Sequence, residues 1–443
     1  MVVEKLKQRQ YILPILLGIV FGLIYFKLPL KYFAFAFVGF LVVVATLHDV
    51  RIGAFLAVFI MPYMPDILNL VFMLFVLAAF IYRGTFRSIS PLTKNSIDMP
   101  IALFVIAIII STITSINVQG SFRDLAIHLV SLSFVFVITN TIKDKEDLNI
   151  LLTTMVFTAV LVSLYGLYQY KVGVEMEDKW LDVSNNSGIT TRVFSVFGNP
   201  NILAEYLIMT TPISIALFWE TKEMHKKFIF LLTSLLLMGT LVLTFSRGGW
   251  VGFAFGILVF VLLVEKRLLL LLIPLGLGAM KFLPPTVVNR ILSIGNFADS
   301  SNNYRIKIWK ITLDIIKDHK IAGVGFGYIP FKQTFESYIR TMPAYHAHNT
   351  YLETMAEMGI PGLIVLIVFI FILYKYSIKT LVKGQDRWTK IISAGVISGI
   401  SALLAQGAVE SVFYLPKIII TFWTLVSFIL VLMRISEEFR EIG

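Results

Sequence analysis

The chain has 443 residues, 57% of them hydrophobic and only 15% charged, and its mean hydropathy of +0.84 excludes an ordinary soluble domain. The absence of cysteine excludes disulfides and thiolate metal sites and leaves the redox compartment open. A net charge of +11 suits basic loops beside an anionic bilayer, and no basic stripe with interleaved aromatics stands outside the apolar segments to bind nucleic acid.

Apolar runs long enough to span a bilayer recur along the chain. They predict helices, because lipid offers an unpaired amide no partner and the runs lack the alternation of a barrel strand. Lys5, Lys7 and Arg9 precede an apolar stretch from Tyr11 to Phe26 with no small-x-small cleavage site, which predicts a retained first helix. Further helices are expected at 32–47, 52–65, 66–82, 99–116, 123–140, 148–170, 199–219, 227–245, 249–265, 268–283, 360–378, 389–413 and 417–435. Pro62 and Pro65 make 52–65 a candidate broken or re-entrant element. The fold class is therefore all-α, a polytopic membrane bundle of about 12 to 14 passes, read as one integral membrane domain over 1–443.

Lys and Arg favour the connections on one side, which predicts cytoplasmic N- and C-termini and outward-facing segments 171–198 and 284–349. The long segment 284–349 carries an amphipathic pattern from Tyr304 to His319, with Ile308, Ile311, Leu313, Ile315 and Ile316, and could form a lid.

Four features gather on the predicted outer side. Arg192 precedes Gly198-Asn199-Pro200-Asn201, where either asparagine can cap the next helix and the guanidinium suits a phosphate near a helix N-terminus. Ser246-Arg247-Gly248-Gly249 makes a tight turn between apolar helices, where a charge at the hydrocarbon edge snorkels or binds an anion. Arg305 lies ahead of Gly323-Val324-Gly325-Phe326-Gly327, a run equally readable as a flexible turn or a ligand loop. Last comes His346-Ala347-His348-Asn349, followed nine residues later by Gly359-Ile360-Pro361-Gly362, which should break a short interfacial helix bearing Glu353 and Glu357 from the next membrane helix.

An imidazole titrates near neutral pH, so His348 suits proton abstraction, while His346 is open to either a functional or a structural role. His48, His128, His225 and His319 read as structural. Glu205 and Glu410 are expected inside apolar helices, where carboxylates are functional or paired. The acidic cluster Glu175, Glu177 and Asp178 reads as a solvated loop, and no carboxylate pair is spaced as a divalent-metal site.

Together these residues resemble the O-antigen ligase and polymerase superfamily over roughly residues 150–430: His348-Asn349 with Gly359-x-x-Gly362, Ser246-Arg247-Gly248-Gly249, and Arg192 with Gly198-Asn199-Pro200-Asn201. The resemblance implies a glycosyltransferase of the bacterial inner membrane, acting on its outer face without metal or cofactor. Its donor would be a glycan on undecaprenyl diphosphate and its acceptor a glycan, lipid or protein hydroxyl, with inversion at the anomeric carbon. It further implies His348 and Arg247 as catalytic residues and Arg192, Arg305, Asn199, Asn201, Ser246, His346 and Asn349 as substrate-binding ones. A growing-glycan acceptor would make the chain a polymerase. A lipid-linked glycan transporter or flippase is the reading without chemistry, and it would favour internal repeats and midplane charges.

Overall fold

The computed structural model describes residues 18–86, 92–174, 191–295, 300–383 and 386–442, apart from 24 and 28. The start of the expected first helix lies outside the described residues, with Lys5, Lys7, Arg9, Glu175, Glu177 and Asp178. The described chain is all-α: α1 (Leu30–His48), α2 (Val50–Ile60), α3 (Asp66–Phe86), α4 (Asp98–Ile113), α5 (Val118–Thr141), α6 (Lys145–Val172), α7 (Pro200–Glu220) and α8 (Met224–Leu243) form its first half. The second half holds α9 (Arg247–Val264), α10 (Leu269–Met280), α11 (Pro285–Leu292), α12 (Ser300–Asp318), α13 (Tyr328–Tyr338), α14 (Thr350–Lys383), α15 (Arg387–Gln406) and α16 (Pro416–Ile442).

Among the described residues, ten helices are long and apolar enough to cross a membrane. The expected helix 52–65 stops at Ile60, because Pro62 and Pro65 withdraw two amides and Asn69 Nδ2 takes the freed carbonyls of Met61 (2.8 Å) and Met64 (3.2 Å). The expected 268–283 shortens to the 12 residues of α10, and Asp98–Ile113 is likewise below spanning length. The expected 389–413 ends at Gln406, so Glu410 lies in a connection and not within a helix.

Capping side chains set many helix starts. Asp49, Asn117, Asp144, Asn199, Ser246 and Asp386 each accept a backbone N–H from the first turn that follows. In the bundle, α16 is the hub, with 94% of its most apolar window buried, whereas α1 is peripheral at 6%. α15 lies against both α7 and α9, and glycine permits the approach: a Cβ at Gly399 would stand 2.4 Å from the Met209 carbonyl oxygen.

The connections sort to two ends. Arg51 bridges Asp49 and Asp147 (2.7 and 3.0 Å), and Lys145 pairs with Asp386 (3.0 Å), so the 49–51, 144–147 and 386 segments share one end. At the other end α12 and α13 form a cap with its own small core, in which Ile308, Ile315, Val324, Phe331 and Phe335 are fully buried. The amphipathic helix expected from Tyr304 to His319 is α12, and its apolar face faces this cap core.

Candidate active site

The histidine motif is the pivot of the capped end. Thr350 begins α14, and Asn349 Oδ1 accepts from the amides of Tyr351 and Leu352, both at 3.0 Å, while its Nδ2 donates to Ala408 O. Thr350 ties the same turn to the 407–415 connection through Oγ1 to Glu410 O at 2.9 Å. These bonds hold His348 at φ 49°, a left-handed conformation unusual for a residue with a Cβ. The expected break after the motif is present, since Gly359 sits at φ 68°, ψ −177° and divides α14 into a short first part and a long apolar second part.

His348 Nδ1 lies 2.6 Å from Glu410 Oε1, and Arg305 donates to Glu410 Oε2 at 3.0 Å. His346 stacks on Tyr414 with ring centroids 4.6 Å apart, and its Nε2 lies 3.7 Å from the same Oε1. Burial raises the Glu410 carboxyl, but the His348 and Arg305 charges and the histidine hydrogen bonds outweigh it and hold the group well below its ordinary value. Glu410 is thus a fixed anion against His348 Nδ1, and this contact leaves the ring's Nε2 uninvolved.

Beside this dyad lies a cluster of arginines. Arg192 Nε donates to Thr244 O (2.9 Å) and its Nη2 to Asn201 Oδ1 (3.1 Å). Arg247, the first residue of α9, donates to both oxygens of Ser293 at 3.3 Å, and Arg290 Nε donates to Phe245 O at 3.3 Å. Arg192, Arg247 and Arg290 are all more than nine-tenths buried. Burial, then the charges of Arg290, Arg247 and Arg305, push the Arg192 guanidinium down to about 9. Four guanidinium groups therefore crowd one region, and the helix N-termini at Pro200 and Arg247 add their positive ends to it. The turn that carries two of the acceptor carbonyls is strained in its own right, with Phe245 at φ 49°, and Ser195 near Arg192 is at φ 49° too.

The structure brings Arg192, Arg247, Arg305, His346 and His348 together and gives the other expected residues bonding roles. Asn199 caps α7, Ser246 caps α9 and Asn349 caps α14, while Asn201 holds Arg192. Glu205, buried in α7, takes a 3.4 Å bond from Gln406. The glycine run is no phosphate cradle: Gly325 packs on Ser115, Gly327 on Asp124 and Gly323 on the Glu357 backbone, each at positive φ and too close to admit a Cβ. Sequence reasoning missed Arg290 and Tyr414. A usable signal for Arg290 was its place three residues after Val287, on the one buried face of α11.

His346, His348 and Glu410 offer three donor atoms within 4.8 Å of one another, close enough for a divalent ion. The same carboxylate already bridges His348 and Arg305, and the neighbouring guanidinium groups repel a dication. The arrangement fits a hydrogen-bonded base beside an anion pocket better than a metal centre.

Residues 232–367 match the family model for O-antigen ligase, a span containing Arg247, Arg290, Arg305, His348 and the Gly359 break. Among curated relatives, an uncharacterized protein of Haemophilus influenzae is 28% identical over 217 residues, covering 44% of this chain and 54% of that protein. The exopolysaccharide production protein ExoQ of Rhizobium meliloti is 29% identical over 121 residues, covering 26% of this chain and 27% of its own length. The chain thus spans about half of the first relative and about a quarter of the second. The segment 232–367 is thus similar to the O-antigen ligase family, and it lies in a helical chain with ten helices, among the described residues, long and apolar enough to cross a membrane.

Proposed function

We propose that this chain is a membrane glycosyltransferase of polysaccharide synthesis, moving a glycan from undecaprenyl diphosphate to an acceptor hydroxyl in the manner of an O-antigen ligase. The observation that carries the reading is the crowding of Arg192, Arg247, Arg290 and Arg305 beside the His348–Glu410 pair. Guanidinium groups gathered in one region complement the two phosphates of a lipid-linked donor with charge-assisted, bidentate hydrogen bonds.

In the reaction, His348 Nε2 removes the proton from the acceptor hydroxyl as the oxygen attacks the anomeric carbon from the face opposite the diphosphate. The bond from that carbon to the phosphate oxygen breaks, its electron pair leaves with the phosphate, and the configuration inverts. Glu410 stabilises the imidazolium, and the guanidinium groups neutralise the charge that grows on the leaving group, which removes the need for a metal. The excess of Lys and Arg at the opposite end of the bundle supports a site on the outer face of the inner membrane with both termini in the cytoplasm.

The similarity to the exopolysaccharide production protein favours a second reading, in which the acceptor is a growing glycan. Both readings are tested by reconstituting the purified protein with a lipid-diphosphate-linked glycan and identifying what carries the glycan afterwards. Transfer of whole glycans once to an acceptor other than the growing glycan supports the ligase, a ladder of lengthened glycans supports the polymerase, and an unchanged donor moved between leaflets refutes both. His348→Ala should lower transfer by ~10² to 10⁴ with donor binding retained.

A further inference from the structure

The end of the bundle opposite the candidate active site holds an open pocket of about 660 Å³ where five helices meet. α7, α9 and α14 begin near the candidate site and end here, α8 begins here, and α15 begins here and ends just before the Glu410 connection. The charged lining is Lys227 of α8, Arg387 and Lys390 of the first turn of α15, and Glu265 just past α9. The ends of α7, α9 and α14 supply apolar surface through Trp219, Leu263 and Leu381. Arg387 and Lys390 are exposed, the apolar residues are half-buried and Ile391 is buried, so charge lies toward the mouth and apolar surface toward the floor.

Three cations against one carboxylate leave a surplus of two positive charges in the pocket. The carboxylates of the surrounding turns are engaged by other cations: Glu223 by Lys226 at 2.6 Å, Glu265 by Arg267 at 3.9 Å, and Asp386 by Lys145 at 3.0 Å. Arg387 Nη2 donates to Trp219 O at 3.0 Å, and Lys227 lies 5.4 Å from the centroid of the Phe218 ring. These contacts hold the two cations in place without cancelling their charge, and a guanidinium with one N–H engaged keeps others to donate. The Lys390 ammonium has no ion pair or hydrogen bond among the described residues. A pocket that is cationic at its mouth and apolar at its floor matches an amphiphile with an anionic head. Its position, at the ends of helices long enough to span a bilayer, is the level of phospholipid head groups.

We infer that this pocket binds an anionic glycerophospholipid of the leaflet on its own side, the cytoplasmic one in the orientation proposed above. Lys227, Arg387 and Lys390 take the phosphate, and the acyl chains follow Leu263 and Leu381. A zwitterionic lipid carries its own cation into a pocket that already has a surplus, so the site discriminates by head-group charge. The bound lipid ties together the ends of five helices, four of which carry parts of the candidate site at or near their far ends. The inference is independent of the transfer reaction and needs no substrate to be tested.

The test uses the full chain in phosphatidylcholine nanodiscs with a rising fraction of phosphatidylglycerol brominated on its acyl chains, and it reads tryptophan fluorescence. Trp219 lines the pocket, so quenching should saturate at a low fraction and exceed that from brominated phosphatidylcholine at the same fraction. Trp219→Phe should lose the saturable part, and it leaves intact the backbone carbonyl that holds Arg387. Lys390→Glu reverses an exposed charge with no bond to lose and should weaken binding by about 10- to 30-fold. Lys94→Glu makes the same change on the connection bonded to Asn140, outside the pocket, and should leave binding within about twofold. Phosphatidylglycerol should also raise the Tm of the wild type more than that of Lys390→Glu. The inference is overturned by equal quenching from the two lipids, by saturable quenching that survives Trp219→Phe, or by an equal loss in Lys94→Glu and Lys390→Glu. Displacement of the lipid by millimolar inorganic phosphate would assign the pocket to a free anion and overturn it as well.

Discussion

Glu410→Gln tests the central dyad with the smallest change of shape. The backbone carbonyl of Glu410 that anchors Thr350 is untouched, so the histidine turn keeps its support. What is lost is a negative charge 2.6 Å from His348 Nδ1 and 3.0 Å from Arg305. A carboxylate and an imidazolium about 4 Å apart at an effective dielectric of 20 attract by ~4 kcal/mol, of which a neutral amide keeps little. Applied to the transition state, a loss of ~3–4 kcal/mol is ~10²- to 10³-fold in kcat. Steady-state transfer with a lipid-linked glycan donor measures it, alongside a thermal melt to establish folding. The pH dependence carries a second check. Because the folded carboxyl titrates well below its ordinary value of 4.5, its stabilising contribution is complete above that pH and is lost as pH falls from there through the folded value. The wild type and Glu410→Gln should therefore differ in Tm by a constant amount from neutral pH down to that point, then converge in stronger acid. A kcat within a few-fold of the wild type, or a Tm difference that disappears while the pH is still neutral, refutes the assignment of Glu410 as a fixed partner of the base.

Arg290→Ala should weaken binding of the lipid diphosphate by about 10- to 100-fold, the worth of one charge-assisted contact of ~1.5–3 kcal/mol, as read from the dissociation constant of the donor. Arg290→Lys should recover only part of that loss, because an ammonium is a point charge and cannot hold Phe245 O and a phosphate at once as a guanidinium fork can. Gly359→Ala places a Cβ at φ 68° and 2.2 Å from the Ile321 carbonyl oxygen, and should destabilise the protein by at least ~3 kcal/mol, visible as a lower Tm with the His348 site disturbed as well. Treatment with a chelator should leave the transfer rate unchanged, whereas loss of activity restored by one divalent ion would assign a metal to His346, His348 and Glu410.

What the sequence made legible is what stands out against an apolar background. His348, Arg192 and Arg247 are polar residues at the edges of membrane helices, where a charge needs a reason, and the structure brings them to one end of the bundle. The break at Gly359 was readable for a similar reason, since Gly359-Ile360-Pro361-Gly362 interrupts a strong helical pattern. Partnerships were not readable. Glu410 is 62 residues from His348 in sequence, and hydropathy alone extended its helix through it, so its carboxylate was visible but its role was not. Asn199, Ser246 and Asn349 show the complementary ambiguity, because a capping side chain and a ligand-binding side chain have the same composition, and only bond geometry separates them. Arg290 was hidden by its setting. Its helix has only eight residues, within a long polar segment where an arginine is ordinary.

The scaffold also explains why the site tolerates arrangements that are individually unfavourable. Arg247 occupies the first position of α9, where the helix dipole repels a cation, and three left-handed non-glycine residues, Ser195, Phe245 and His348, border the same region. Each costs about 1 kcal/mol or more, and a bundle whose hub helix is almost wholly buried can carry the sum. If those costs are maintained for binding an anion, occupancy should reverse the largest of them: a bound diphosphate meets both the dipole and the crowded guanidinium groups. Raising the concentration of a soluble isoprenyl diphosphate should then raise the Tm of the wild type in the manner of a ligand that binds only the folded state, and Arg247→Ala should reduce that increase. An equal increase in both proteins would mean that the cations around Arg247 serve the fold and not the ligand.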